Sequence, residues 1–230
     1  MRRTALLSTL WPLLLASCSL LPQPASDEPA LHVLEGRPAV VAQTRREFVL
    51  AVNAPRAAPG YDSAAMVYVQ KAHALDHYAT HRWADTPARM LGPLLLRALE
   101  DTGGFRAVVP AGSGLQADLR LDTEIVWLRQ SFLSRPSRVE FTLRVQLVDV
   151  PGRRVLATRY LELTQEAPSD DAPGGVTAAN AAMGRALALV AAFCAETSAE
   201  LRTVAPKAAQ SQQRPALAPV PVPPTETQDG

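Results

Sequence analysis

The 230-residue chain carries 23 basic and 22 acidic side chains, so its net charge is close to zero. A protein that binds nucleic acid through its phosphates needs an excess of lysine and arginine, and this composition therefore argues against a nucleic-acid partner. Only two cysteines are present, Cys18 and Cys194. With 47% hydrophobic residues, the chain is long enough to bury one hydrophobic core.

The N-terminus has the organisation of an export signal. Arg2 and Arg3 precede an apolar stretch from Ala5 to Leu15, and small residues follow immediately before Cys18. The apolar stretch is too short to cross a membrane, because a transmembrane helix needs about 20 apolar residues. We therefore predict that residues 1–17 are a signal peptide that is removed.

The tetrapeptide Leu15-Ala16-Ser17-Cys18 resembles the bacterial lipobox, whose cysteine becomes the lipidated first residue of the mature chain. We expect Cys18 to carry the lipid, which leaves Cys194 without a disulfide partner. An ordinary signal peptide with a cysteine at this place is the alternative. An aspartate after the cysteine resembles an inner-membrane retention signal, whereas this chain has Ser19, so we expect an outer-membrane protein facing the periplasm. In a host with one membrane, the anchor would lie on its outer face.

Proline-rich stretches flank the middle of the chain. Such a composition favours extended chain over packed structure, and it predicts an N-terminal lipid-anchored linker over residues 18–44 and a disordered tail over residues 203–230. Residues 45–202 are then the folded domain. The alternative for the tail is a ligand for the groove of a partner protein.

Alternation of apolar and polar residues predicts strands in the second half of the domain. The clearest ones cover residues 119–127 and 139–149. Pro151-Gly152 predicts a turn that joins the second of them to a strand over residues 155–163. Shorter strands are predicted at residues 46–52, 66–69 and 105–109.

Two helices are predicted by apolar residues at helical spacing. The first begins at Pro87 after a cap at Asp85 or Thr86 and ends before Gly103-Gly104. Because Pro93 lies inside this segment, we expect either a kink there or a helix that starts later.

The second helix is predicted from about Val176 to Arg202, with Cys194 as a small core residue on its apolar face. The order of strands, helix, strands and helix predicts an α+β fold. In this fold the two helices pack on one face of a mostly antiparallel sheet.

His73, His77 and His81 are spaced by four residues and would share one face of a helix, as metal-binding histidines do. The residues around them are more typical of a strand, on which His73 and His81 would lie about 27 Å apart, too far to share an ion. We therefore predict no metal site and no cofactor.

Catalytic motifs are not found in this sequence. Ser113 lacks the full G-x-S-x-G motif of serine hydrolases and is expected in a flexible loop. Phosphate-binding and dinucleotide-binding glycine motifs are also missing, so we assign no catalytic residue.

The segment YATHRWADTPARMLGPLLLRALEDTGGFRAVV, residues 78–109, resembles the signature of the ABC-type transport auxiliary lipoproteins, the PqiC-like family. In that signature Tyr-Ala, Arg-Trp-Ala, Pro and Met-Leu lead into a helix that ends before Gly-Phe. The resemblance extends from about Arg45 to Glu200, and the lipobox agrees with it. Tyr78 and Trp83 match the signature, and we expect their rings to pack in the core rather than to contact a ligand.

The resemblance implies a non-enzymatic outer-membrane component of a lipid-transport system. Its partners would be an MCE-domain protein and the subunits of an inner-membrane ABC transporter, and it would meet membrane lipid through its N-terminal anchor. A homo-oligomer, such as a ring of several copies, agrees with this role. The alternatives are a lipid-anchored periplasmic enzyme and an envelope-assembly lipoprotein without a transport role. Neighbouring MCE and permease genes would distinguish the first hypothesis from the other two.

Overall fold

The computed structural model describes residues 28–36, 38 and 41–209, and residues 202–209 by their backbone only. The predicted signal peptide, Cys18 and the tail after Ala209 lie outside the described residues. The strands are β1 (Ala30–His32), β2 (Arg46–Val52), β3 (Arg56–Ala57), β4 (Ala65–Val69), β5 (Asp76–Trp83), β6 (Phe105–Pro110), β7 (Leu119–Ser131), β8 (Arg138–Asp149) and β9 (Arg154–Glu166). The helices are α1 (Pro87–Asp101) and α2 (Ala172–Ala209).

The sheet is organised around β7, a strand of 13 residues. One edge of β7 pairs antiparallel with β8, and β8 pairs antiparallel with β9. These strands are the ones that the alternating pattern predicts, and Pro151-Gly152 lies in the turn between β8 and β9. The longest ladders of the sheet are therefore antiparallel, as predicted.

The other edge of β7 pairs with three short strands in succession. β2, β3 and β4 each lie parallel to β7, at residues 119–121, 124–125 and 130–131 of that strand. β6 pairs parallel with β2, while β5 pairs antiparallel with β4 and parallel with β1. The sequence does not predict these parallel pairings, because alternation along a strand specifies its buried face and not its neighbour.

Both helices cover the same face of the sheet. α2 packs against β7, β8 and β9, α1 packs against β2, β3 and β6, and the two helices contact each other. The residues of β8 that face the helices are buried: Val139, Phe141, Leu143, Val145 and Leu147. The predicted α+β architecture with two helices on one face is confirmed.

α1 begins and ends where its sequence predicts. The Arg89 N–H donates a hydrogen bond to the Thr86 hydroxyl at 3.4 Å, and Pro87 is the first helical residue. The chain leaves the helix before Gly103, whose φ of 62° suits glycine. Pro93 lies inside the helix with its ring exposed. The helix does not start later because of Pro93, so that one of the two predictions is wrong.

α2 extends beyond both of its predicted ends, Val176 and Arg202. The stretch Ala172–Leu201 has the length and hydropathy of a membrane span, but 61% of its most apolar part is buried within this domain. The burial explains its apolar composition, because this helix covers the long strands of the sheet.

Cys194 lies on the buried face of α2, as predicted. The residues of that face are Met183, Leu187, Val190, Ala191 and Cys194, and all of them are buried. Burial raises the pKa of the Cys194 thiol to about 12, against a smaller opposite effect of Arg46. The thiol therefore stays protonated and serves as a small core residue.

The chain before residue 45 joins the folded domain from β1 onwards. Leu34 is buried, with 4% of its surface exposed. The side chain of Asn180 in α2 accepts a hydrogen bond from the Glu35 N–H at 2.8 Å and donates one to the Val33 carbonyl at 3.4 Å. This segment crosses α2 and is held there by its backbone.

The structure thus differs from the linker predicted over residues 18–44. Strand pairing at the edge of the sheet holds the last part of that segment, and its proline content gives no sign of this. Nine residues, 19–27, lie between Cys18 and Glu28, the first described residue.

Candidate functional site

The motif of residues 78–109 spans β5, α1 and β6, and Trp83 lies at the junction of β5 and α1. Trp83 is 4% exposed, and its backbone N–H donates to the Ala64 carbonyl at 2.9 Å. The next N–H, of Ala84, donates to the His32 carbonyl at 2.7 Å. The prediction that Trp83 packs in the core is confirmed.

The stretch 78–81 of β5 bulges out of the ladder with β4. These four residues oppose the single residue Met66, because the register shifts between the flanking pairs. In a regular strand, side chains three residues apart point to opposite faces. Here the rings of Tyr78 and His81 lie with their centroids 6.1 Å apart, edge to face, because the bulge directs both to one side.

Tyr78 is the end of a partly buried chain of hydrogen bonds. Its hydroxyl donates to Oε1 of Gln130 at 2.9 Å, and Nε2 of Gln130 donates to the Ser137 hydroxyl at 2.9 Å. Burial, and then the neighbouring Tyr68 and Asp171, raise the pKa of Tyr78 to about 12. The hydroxyl is therefore protonated at neutral pH, where it donates a structural hydrogen bond and does not act as a base.

The loop before α2 continues this chain. The Ser137 N–H donates to Oδ1 of Asp170 at 2.7 Å, and that bond is the main cause that lowers the pKa of Asp170. The Ser169 hydroxyl, followed by the Gly174 N–H, lowers the pKa of Asp171. Both carboxylates are therefore charged at neutral pH. Asp170 holds the loop against the turn between β7 and β8, and Asp171 binds within the loop and the first turn of α2.

The three histidines that suggest a metal site are separated in the structure. His73 lies in a turn with a φ of 65°, His77 is exposed on β5, and His81 faces His32 of β1. Among the residues that the structure describes, His, Cys, Asp and Glu side chains form no group of three that could hold a metal ion. The spacing of four residues thus does not bring these histidines together.

His32 and His81 form a stacked pair across β1 and β5. Their ring centroids are 5.2 Å apart, and Nε2 of His32 lies 2.9 Å from Nδ1 of His81. A hydrogen bond between two imidazole nitrogens needs one N–H and one lone pair, so the pair cannot keep both of these nitrogens protonated. Burial, and then the neighbouring His81, lower the pKa of His32. The sequence reasoning missed His32, because it lies in the segment assigned to the linker and no local motif marks it.

A small cavity of about 20 Å³ lies beneath the motif, lined by Met66, Val67, Tyr78, Trp83, Leu128 and Gln130 among others. A cavity of this size holds about one water molecule. It is far too small for a lipid acyl chain, so the motif at this point is a packed part of the domain.

Ser113 lies in the loop between β6 and β7, as predicted. It is exposed, and it stands between Gly112 and Gly114, whose φ angles are 86° and 78°. This turn-rich backbone is unlike the strand-to-helix turn that carries the nucleophile of serine hydrolases.

The motif also has an exposed side. Thr80 and Arg82 of β5 and Arg89 and Arg97 of α1 are exposed. Within the described part of the chain, β1 pairs only with residues 81–83 of β5. Among the described residues, the first part of β5 therefore has an open backbone edge on this side.

Comparisons with known proteins agree with this fold. Protein XCC0632 from Xanthomonas campestris is 20% identical, with a TM-score of 0.70 over 76% of this chain and 99% of that chain. The crystal structure of an uncharacterized protein is 15% identical, with a TM-score of 0.55 over 74% of this chain and 97% of that one. At these identities the likeness shows the fold alone. None of the curated proteins compared with the chain matches it.

A family model described as "ABC-type transport auxiliary lipoprotein component" matches residues 31–192. The match begins within β1 and ends within α2, so it includes the N-terminal part that packs on the domain. It also covers the motif of residues 78–109 with its bulge and its buried tryptophan. The chain therefore belongs to the family of ABC-type transport auxiliary lipoproteins.

Proposed function

We propose that this chain is an outer-membrane lipoprotein that acts as a non-catalytic auxiliary component of an MCE/ABC-type system for lipid transport across the periplasm. The family match carries the proposal, because the family is described as an auxiliary component of ABC-type transport. The lipobox supplies an anchor at Cys18, and Ser19 after it favours the outer membrane.

The chemistry of the described side chains supports an auxiliary role. The groups with a shifted pKa all have a structural partner: Tyr78 binds Gln130, Asp170 binds Ser137, Asp171 binds Ser169, His32 binds His81, and Cys194 is buried in the core. Each shift is explained by packing or by a hydrogen bond that holds two elements together. The shifts thus need no catalytic explanation.

The length of chain between Cys18 and Glu28 limits how far the domain stands from its membrane. Nine residues, 19–27, lie between the two, so ten Cα–Cα steps join them. Ten steps span roughly 35 Å if fully extended and would average less than about 20 Å as a coil. The domain therefore stays close to the membrane that anchors it, and the MCE-domain protein and the ABC transporter must reach it there.

The exposed side of the motif is the surface that we assign to the MCE-domain protein. It comprises the open backbone edge of β5 and the exposed side chains of Arg82, in the same strand, and Arg89, near the start of α1. A free strand edge offers N–H and C=O groups to a strand of a partner, and neighbouring side chains then supply specificity. The tail is not needed in this arrangement.

Pull-down with the mature chain and its MCE-domain protein tests the proposal. A chain that ends at Ala209 keeps all of α2 and should retain the partner, whereas a cut after Arg202 would remove the end of that helix. Arg82→Glu should weaken retention. Arg153→Glu changes an exposed arginine in the turn between β8 and β9 and should bind like the wild type.

Two outcomes of these pull-downs distinguish a wrong docking surface from a wrong function. If the chain ending at Ala209 is folded by circular dichroism and loses the partner, the site lies in the tail and the assignment to the motif is wrong. If the full mature chain retains neither the MCE-domain protein nor a subunit of the ABC transporter, the proposed function is wrong.

A further inference from the structure

Two turns leave the sheet at the same end. Tyr68 of β4 pairs with Asp76 of β5 and also with Gln130 of β7. The turn of residues 70–75 between β4 and β5 and the turn of residues 132–137 between β7 and β8 therefore emerge together. We refer to these two turns as the hairpin end.

The chain that comes from the lipid anchor enters the domain from this end. Glu28 and Pro29 precede β1, which runs parallel to β5. β5 begins at Asp76, next to the hairpin end. A chain that approaches β1 along its own direction therefore comes from the hairpin end.

The hairpin end exposes two leucines. Leu75, the last residue of the first turn, is 44% exposed, and Leu133, near the start of the second turn, is 53% exposed. In the strand that precedes the first turn, the ring of Tyr68 lies 4.8 Å from Tyr78 and 6.0 Å from Phe132, measured between centroids. Exposed apolar side chains at one end of a sheet, with tyrosines in the same region, suit the interface between lipid and water.

We propose that the hairpin end rests on the membrane that holds the lipid of Cys18, with Leu75 and Leu133 at the level of the lipid headgroups. The inference depends on the proposed function in one respect, which is that Cys18 carries the lipid. The partner is the lipid surface itself. Two leucines alone would bind it weakly, but the lipid on Cys18 keeps the domain near the membrane.

The length of the tether favours this end over the opposite one. Leu115, before β7, and Val150, after β8, are exposed at the other end of the sheet. A strand of 13 residues such as β7 separates the two ends by roughly 40 Å. Ten Cα–Cα steps of coil between Cys18 and Glu28 would average less than about 20 Å, so the hairpin end stays within reach of the membrane and the opposite end does not.

The charged groups at the hairpin end should contribute little to this contact with the membrane. Lys71 and Arg135 are basic, whereas Asp76, Asp170 and Asp171 are acidic. Hydrogen bonds lower the pKa of the last two carboxyls, so these two are charged at neutral pH. Basic and acidic groups largely cancel, and the contact should therefore depend little on salt or on anionic lipid.

Fluorescence quenching on the full mature, lipidated chain tests the inference. The vesicles contain phosphatidylethanolamine and phosphatidylglycerol with brominated acyl chains. Because the lipid covers the Cys18 thiol and Cys194 is buried, a single introduced cysteine takes a thiol-reactive fluorophore selectively. Probes at Leu75→Cys and Leu133→Cys should be quenched at low and at high salt, and the matched probe at Leu115→Cys should not be quenched.

Flotation of the same vesicles separates the two hypotheses. A chain that floats with the vesicles but shows no quenching at residues 75 and 133, or equal quenching at residue 115, overturns the contact and leaves the lipid anchor intact. A chain that does not float shows that Cys18 is not an anchor, and this overturns both the contact and the lipid attachment. Circular dichroism of each variant establishes that the fold is kept, since all three leucines are exposed.

Discussion

Gly175, in the first turn of α2, lies directly against the side-chain amide of Gln130 in β7. A Cβ at position 175 would overlap Oε1 of Gln130. Gln130 is 3% exposed, and its amide binds both Tyr78 of the motif and Ser137. The glycine therefore permits a helix, a central strand and the motif strand to meet at one buried amide.

Gly175→Ala should destabilise the domain. The new methyl group displaces the Gln130 amide and breaks its two hydrogen bonds, at a cost of about 2–3 kcal/mol in the free energy of unfolding. Urea denaturation measures this change. Gly92→Ala in α1 is the matched control, because the nearest atom to its Cβ is Pro55 Cδ at 3.4 Å. Alanine favours a helix over glycine by up to about 1 kcal/mol, so the control should keep or gain stability. An equal loss in both variants would contradict the role of the Gly175 contact.

Tyr78→Phe should lower the free energy of unfolding by about 1 kcal/mol, because it removes one hydrogen bond and leaves Oε1 of Gln130 without its donor. Tyr160→Phe removes the hydroxyl of a tyrosine that is 57% exposed on β9 and should change nothing measurable. The same urea denaturation compares the two variants. A Tyr78→Phe chain as stable as the wild type would show that the hydroxyl contributes no net stability.

The pair of His32 and His81 should make stability depend on pH. Because the pKa of His32 in the folded chain lies below its ordinary value of 6.5, the unfolded chain binds more protons there. The contribution of His32 to the free energy of unfolding is therefore complete above pH 6.5, and it decreases as the pH falls below that value. Asp170 and Asp171 have lowered pKa values of their own, and their effect begins only near their ordinary value of 3.8.

Thermal unfolding of the wild type and two variants measures how much the histidine pair contributes to the pH dependence of stability. The Tm of the wild type should fall as the pH decreases below 6.5, and the Tm of His32→Gln should fall less over the same range. His77→Gln changes an exposed histidine of β5, the strand that carries His81, and should follow the wild type. Parallel curves for the wild type and His32→Gln would mean that the pair is not the source of the pH dependence.

Cys18→Ala should release the chain from the membrane into the soluble fraction, or leave an uncleaved precursor, because the lipid needs the thiol. Cys194→Ala changes the buried thiol of α2 and should leave the chain in the membrane fraction. Mass spectrometry of the mature N-terminus identifies the acyl groups directly. An unmodified N-terminus at a residue other than 18 would rule out the lipid anchor.

Local signals in the sequence determined many of the elements of this protein. Thr86 and Pro87 mark the start of α1, and alternating side chains predict β7 and β8. Trp83 and Cys194 are predicted to be core residues, and both are buried. These features depend on capping, on the period of the side chains and on hydrophobicity, which are properties of a residue and its near neighbours.

The tertiary structure alone decided which distant residues meet. Tyr78 binds Gln130 across 52 positions of the chain, and His81 stacks on His32 across 49. The proline-rich segment before residue 45 joins the sheet as β1 because β5 offers it an edge, and nothing within the segment reveals that edge. Alternation specifies which face of a strand is buried, whereas its partner and its direction depend on the geometry of the whole sheet. The long strands could therefore be predicted, but β1, the pairing of the histidines and the end at which the chain enters the sheet could not.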